Sequence, residues 1–195
     1  MSIALLQKYL PENTLPFLKN WFGEFYIHIK ITRNRNSKLG DYRKLPDKSH
    51  QITVNSTLPS ELFFFVLTHE LAHLIAFEKY GFRISSHGNE WKNTFREMLL
   101  ESIGVYSQDL KPAILKFSKS PKANFMSSSE LVKYFHFNDK NKNQNLIENI
   151  PPGSDFIYKK EKYRLVEKRK KNYLCRNLNT GKSYIFKPAV AVEKP

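Results

Sequence analysis

The stretch from Leu62 to His73, reading Leu-Phe-Phe-Phe-Val-Leu-Thr-His-Glu-Leu-Ala-His, constrains this chain most. Pro59 precedes it and Gly81 follows it. Pro is tolerated in a first helical turn and Gly is favoured just past a last one, so the spacing predicts one long helix. A helix this apolar belongs in a core, where an unpaired histidine or glutamate is costly to bury. His69 and His73 lie four residues apart, roughly one turn, so both imidazoles leave the same face. Such a pair suits the tetrahedral bite of Zn²⁺, and Glu70 between them can take a proton from water. The pentad alone does not decide the matter, because a histidine pair on a helix can equally be packed or exposed.

The flanking text supplies context. His87 follows His73 after 14 residues, beyond the Gly81 break, and Gly88 then leads into a second helical pattern. Its apolar residues Trp91, Phe95, Met98 and Leu99 fall on one stripe. Upstream, Phe25 to Ile31 alternates apolar and polar, and so does Gln51 to Asn55. Both read as half-buried strands. Asp41 to Lys44 reads as a short strand, Pro46-Asp47-Lys48 as a turn, residues 34–40 as a polar loop, and residues 3–10 and 14–22 as short helices. A third histidine opening a new helix can fold back onto the first two.

Taken together, residues 1–108 resemble the SprT/Spartan group of zinc metallopeptidase domains. The matching text is His69-Glu70-Leu71-Ala72-His73, then Tyr80-Gly81, then His87-Gly88-Asn89-Glu90-Trp91-Lys92, with Phe95 and Met98 beyond. The resemblance implies a zincin-like fold, a small mixed sheet with an active-site helix. It implies one catalytic zinc on His69, His73 and His87, a fourth position left open, and Glu70 as catalytic base. Protein substrates bound or crosslinked to DNA are the implied class, with the strand at Gln51–Asn55 as the edge on which an extended peptide would pair. Glu90 is a rival third ligand. Glu78, five residues after His73, points some ~140° further round the helix and is a poor one. His28, His50 and His136 lack motif context and read as surface or loop histidines.

Charge is uneven. The chain carries a net +14, and residues 155–195 alone hold 12 basic against 4 acidic side chains. Such a concentration fits a polyanion, single- or double-stranded DNA first, or else a merely solvated face. After Pro151-Pro152-Gly153 the pattern turns to β, with candidate strands at 155–158, 163–167, 173–177, 183–186 and 190–193. Asn179-Thr180-Gly181-Lys182 reads as a hairpin turn. Five short strands in so few residues suggest a small closed barrel of SH3-like or OB-like type. Lys168, Arg169, Lys170 and Lys171 fall between two of them, as a candidate phosphate-contacting patch. Tyr158, Tyr163 and Tyr173 could offer stacking faces, although filling the barrel core is the more ordinary use.

The expected organisation is therefore α+β: a SprT-like domain at 1–108, a linker with a short helix at 109–150, and a small basic β-barrel module at 151–195. Many bacterial members of the resembled group end in a cysteine-paired zinc ribbon. With Cys175 alone this chain cannot build one. The lone cysteine, an N-terminus without a signal-peptide pattern and an apolar run soon interrupted by His69 suggest a soluble, cytoplasmic monomer with no membrane partner. Two other readings stand beside the peptidase: a non-catalytic, zinc-containing nucleic-acid-binding or transcription-associated protein, and a protein-interaction adaptor.

Overall fold

The computed structural model of the chain describes residues 3–33, 35, 38–137, 145–193 and 195. It is a mixed α+β structure in two compact units, Met1–Phe125 and Met126–Pro195.

In the first unit a 3₁₀ helix (Ile3–Tyr9) and α1 (Leu15–Phe22) precede three strands, β1 (Ile27–Thr32), β2 (Gly40–Lys44) and β3 (His50–Asn55). The long helix α2 (Ser60–Tyr80) follows, then α3 (Asn89–Glu101) and α4 (Lys111–Ser118). The sheet order is β1-β3-β2, with β1 parallel and β2 antiparallel to β3. This corrects the expected substrate-pairing edge. The strand at 50–55 is central and hydrogen-bonded on both sides, and all six of its residues are buried. The edge strands are β1 and β2.

Helix α2 is buried on every side from Phe63 to Thr68, as expected of a helix that is apolar all round. Its length and composition would let it cross a membrane, but 67% of that stretch is buried inside the unit. It is the unit's core helix. Phe65 meets Phe95 of α3 and Phe117 of α4, each at 5.4 Å and edge-on. Tyr9 stacks on Phe63 and Trp21 on Phe64, so the N-terminal elements clamp the opposite side. Trp21 also donates its indole N–H to Glu101 at 2.8 Å, tying α1 to the end of α3. Helix α4 went unpredicted in the sequence; Leu110, Ile114 and Phe117 are its buried residues and N-terminal flank.

The second unit contains α5 (Ser129–Phe137), β4 (Asn145–Leu146), β5 (Asp155–Tyr158), β6 (Glu161–Arg169), β7 (Asn172–Asn177), β8 (Ser183–Phe186) and β9 (Ala191–Val192). Residues 138–144 of the expected polar linker lie outside the described residues. Strands β5 to β8 form an antiparallel meander, β9 pairs with β4, and a single bridge joins Ile157 to Glu193. The expected closed barrel is not formed: among the described residues β8 pairs only with β7, and β4 only with β9. The strands at either end, β4 and β9 with two residues and β8 with four, are too short to complete a ring of ladders. The sheet still curls over a core of Phe156, Tyr163, Leu165, Tyr173, Cys175 and Phe186. A bulge between Leu165 and Glu167 bends β6.

Candidate metal centre

Helix α2 presents His69 and His73 one turn apart, as the spacing requires. Gly81 then ends the helix with φ 84°, a conformation that costs glycine little and other residues more. The chain turns through Ser85–Gly88, where the Gly88 N–H bonds the Ser85 carbonyl at 2.9 Å. It delivers His87 back over α2 before α3 begins. The three Nε2 atoms converge: His69 to His73 3.3 Å, His73 to His87 3.1 Å, His69 to His87 3.4 Å.

Burial holds the three imidazoles neutral. It pushes His69 down to about 3 and His73 down to about 4, with neighbouring histidines adding to the effect. His87 is lowered by burial and then by Lys92. In the tautomer that turns each Nε2 lone pair inward, three neutral rings together offer a cation three ligands. The fit is metric as well. Zn–N bonds of about 2.0–2.1 Å in a tetrahedron put the nitrogens about 3.3–3.4 Å apart, close to the spacing found here. The residues present fit a zinc ion.

Trp91 forms the common wall of the cluster. It is wholly buried, and its ring lies 4.7 Å from His69, 5.2 Å from His73 and 4.6 Å from His87. Phe95 adds an edge contact to His69 at 5.3 Å. The sequence marked both residues as part of a buried helical stripe and of the text shared with the resembled family, without giving either a place at the metal site.

Glu70 is 7% exposed. Burial pushes its carboxyl up to about 8, Asp41 pushes the same way, and Lys38, Arg35 and the Tyr42 backbone pull it down. A dication on the histidines would draw it down further. The carboxylate lies against Gly40 of β2. Tyr42, on the same strand, stacks parallel to His73 at 6.2 Å and shares a 3.1 Å hydrogen bond between its hydroxyl and His50 Nδ1.

His50 is not the surface or loop histidine expected. It is 3% exposed at the start of β3, lowered chiefly by burial, with Nε2 3.6 Å from Glu78. Glu78 also pairs with Lys44, so it braces β2 and β3 instead of serving the metal cluster. His28 is half-buried against Tyr26. The side chain of His136 lies outside the described part of α5. Among the described residues, His69, His73 and His87 are the group able to hold a metal, and Glu90 is not in it.

The basic patch lies in the second unit. Lys168 and Arg169 end β6, Lys170 and Lys171 make the turn into β7, and all four are exposed. Tyr163 and Tyr173 are core residues, 8% and 5% exposed, which removes them as stacking platforms.

Residues 12–108 match the sequence model of the SprT-like family. This region belongs to the SprT-like family. The match spans the three histidines, Glu70 and the sheet beneath them, and membership points to a metalloprotease type of protein. No curated protein and no solved structure matches the chain.

Proposed function

We propose that the protein is a zinc-dependent metalloendopeptidase with a zincin-like SprT domain, acting on proteins bound or crosslinked to DNA. The observation that carries this reading is the convergence of three neutral histidine nitrogens beside a buried glutamate seated on an edge strand. His69, His73 and His87 would hold the ion, and three protein ligands leave a tetrahedral site one open position. A bound zinc supplies Lewis acidity, lowering the pKa of water toward ~7 and polarising a peptide carbonyl. Glu70 takes the proton from the attacking water and returns it to the departing amine. Its buried seat matches that role, because burial raises a carboxyl and so strengthens it as a proton acceptor. Edge strand β2 is where an extended substrate would pair. Trp91, Tyr42 and Phe95 keep bulk water from the rear of the cluster.

DNA is assigned to the second unit. Lys168, Arg169, Lys170 and Lys171 give it a cationic turn free of steric cover, and the adaptor and transcription readings would use the same surface. A reducing, cytoplasmic setting suits Cys175, buried and without a disulfide partner.

The test is a set of variants assayed for zinc content and for cleavage of casein and of a DNA-crosslinked protein. His73→Ala should lose zinc. Glu70→Gln should keep about one zinc per chain and lose ~10²–10⁴-fold in turnover, the usual worth of a general base. Cleavage by Glu70→Gln at the wild-type rate would reject the mechanism and favour the non-catalytic reading. Neutralising the four basic residues should flatten the salt dependence of DNA affinity, by up to ~0.9 in log–log slope for each phosphate that a removed cation had neutralised.

A further inference from the structure

We propose that Gly40 is a positioning residue for Glu70: the missing side chain lets edge strand β2 seat the glutamate's carboxylate. The inference rests on Glu70 being the base. A Cβ placed on Gly40 would stand 2.5 Å from Glu70 Oε1, 2.9 Å from Glu70 Cγ and 2.7 Å from Val66 Cγ1. Cβ atoms essentially never come within 3.0 Å of a neighbour, so something must move. Gly40 is not among the residues with positive φ. The glycine is therefore required by space and not by backbone conformation, as at other close approaches of a strand to a neighbour.

What would yield is decided by the surroundings. Val66 and Glu70 are one helical turn apart on α2. Val66 is 5% exposed, in a stretch of α2 buried throughout from Leu62 to Thr68, so it cannot shift cheaply. The end of the Glu70 side chain swings aside, and the Val66 contact pushes β2 back from the helix; both take the carboxylate off its seat.

The pleat of β2 supplies the other half of the seat. The Leu45 N–H bonds the Ser49 carbonyl and the Asn55 N–H bonds the Leu39 carbonyl. Odd-numbered residues thus turn their backbone groups toward β3, and Gly40 and Tyr42 turn theirs outward. The outward-turned Tyr42 backbone, beside the seat, draws the Glu70 carboxyl down against the effect of burial. The three histidines are also held from α3, by the Trp91 ring, and His73 in addition by the Tyr42 ring.

Gly40→Ala, Glu70→Gln and the double variant, all zinc-loaded, are compared with wild type on casein. Gly40→Ala should keep its zinc and lose about 10²-fold in kcat, the scale of a 1 Å misplacement, with KM little changed. In the Glu70→Gln background it should cost nothing further, because the group it displaces is no longer a base. The Tyr42 amide resonance, which senses the nearby Glu70 carboxylate, should shift in both single variants. Wild-type turnover by Gly40→Ala beside an inactive Glu70→Gln would overturn the positioning role and leave the base assignment standing. An active Glu70→Gln would overturn the base assignment itself. Costs that multiply in the double variant would mean that Gly40 acts on the fold and not through Glu70. If Gly40→Ala does not fold, Gly40→Ala with Val66→Ala relieves the clash with the helix and takes the same readouts.

Discussion

Replacing Trp91 by alanine tests how the metal centre is held. The indole is fully buried and sits within 5.2 Å of four aromatic rings, those of the three histidines and Phe95. A buried tryptophan hides roughly 150–250 Å², worth about 4–6 kcal/mol at ~25 cal/mol per Å². Truncation to alanine in a core usually costs about 3–5 kcal/mol. We expect that loss in the metal-free protein, a large part of the stability of an ordinary domain. Zinc should also bind about 10–100-fold more weakly, as happens when the support behind ligands is removed. The chain has two tryptophans, Trp21 and Trp91. In the variant Trp21 alone reports, and it lies in the same unit, stacked on Phe64. Urea unfolding followed by its fluorescence, with zinc and with chelator, gives both numbers, since the zinc-dependent gain in stability is RT ln(1 + [Zn]/Kd). A loss under ~1 kcal/mol with unchanged zinc affinity would refute the view that Trp91 is the wall on which the histidines rest.

Glu70→Gln should stabilise the metal-free protein in a pH-dependent way. The wild-type carboxyl is raised to about 8 in the fold, so its contribution is fully present below its unfolded value, about 4.3, and is lost as pH rises through 8. The gain should be near zero at pH 4, grow to pH 8 and level off, in melts of chelator-treated protein; a gain constant with pH would refute it. Tyr42→Phe removes one hydroxyl bond to His50 and keeps the stack on His73, so it should cost about 0.5–1.5 kcal/mol in a thermal melt and leave zinc content unchanged. Cys175 is buried, and burial pushes its thiol up to about 11. Labelling by a thiol reagent at pH 8 should therefore follow the unfolding rate of the second unit, and rapid labelling of the native protein would contradict its place in the core.

Local period carried much of the fold. Ile29 and the strand around it, the long helix ended by Gly81, and the meander from Asp155 to Phe186 all follow from spacings of two or four residues. What spacing does not carry is which strand lies in the middle. Gln51 and Thr53 alternate with Ile52 and Val54 and so look like a solvent face, yet they are 6% and 4% exposed. The central position of β3 comes from a parallel pairing with β1, and no residue in either strand announces it. Closure of the second unit failed as a prediction for a related reason: five strands were legible, but their ends were not, and β8 and β9 are too short to close the ring. Helix α4 was hidden because it is only eight residues long, too short for its apolar spacing to stand out, although Pro112 sits in its first turn.

The candidate site divides along the same line, and the division has a mechanical meaning. His69, Glu70 and His73 are local, and His87 follows a helix break, so all four were legible. Gly40, Tyr42, His50 and Trp91 act across tertiary gaps, and local pattern alone assigns each a blander use. A glycine between a basic loop and a strand was the one available hint of a close approach. These supporting residues form two walls on different elements. Trp91 on α3 backs the histidines, and β2 seats the glutamate against a bare Gly40. Damage to the two walls should then separate: substitutions at Trp91 move zinc affinity, and a methyl at Gly40 moves turnover at full zinc occupancy. Were both to move the same quantity, the centre would be one packed cluster, and the assignment of metal and base to separate supports would fall.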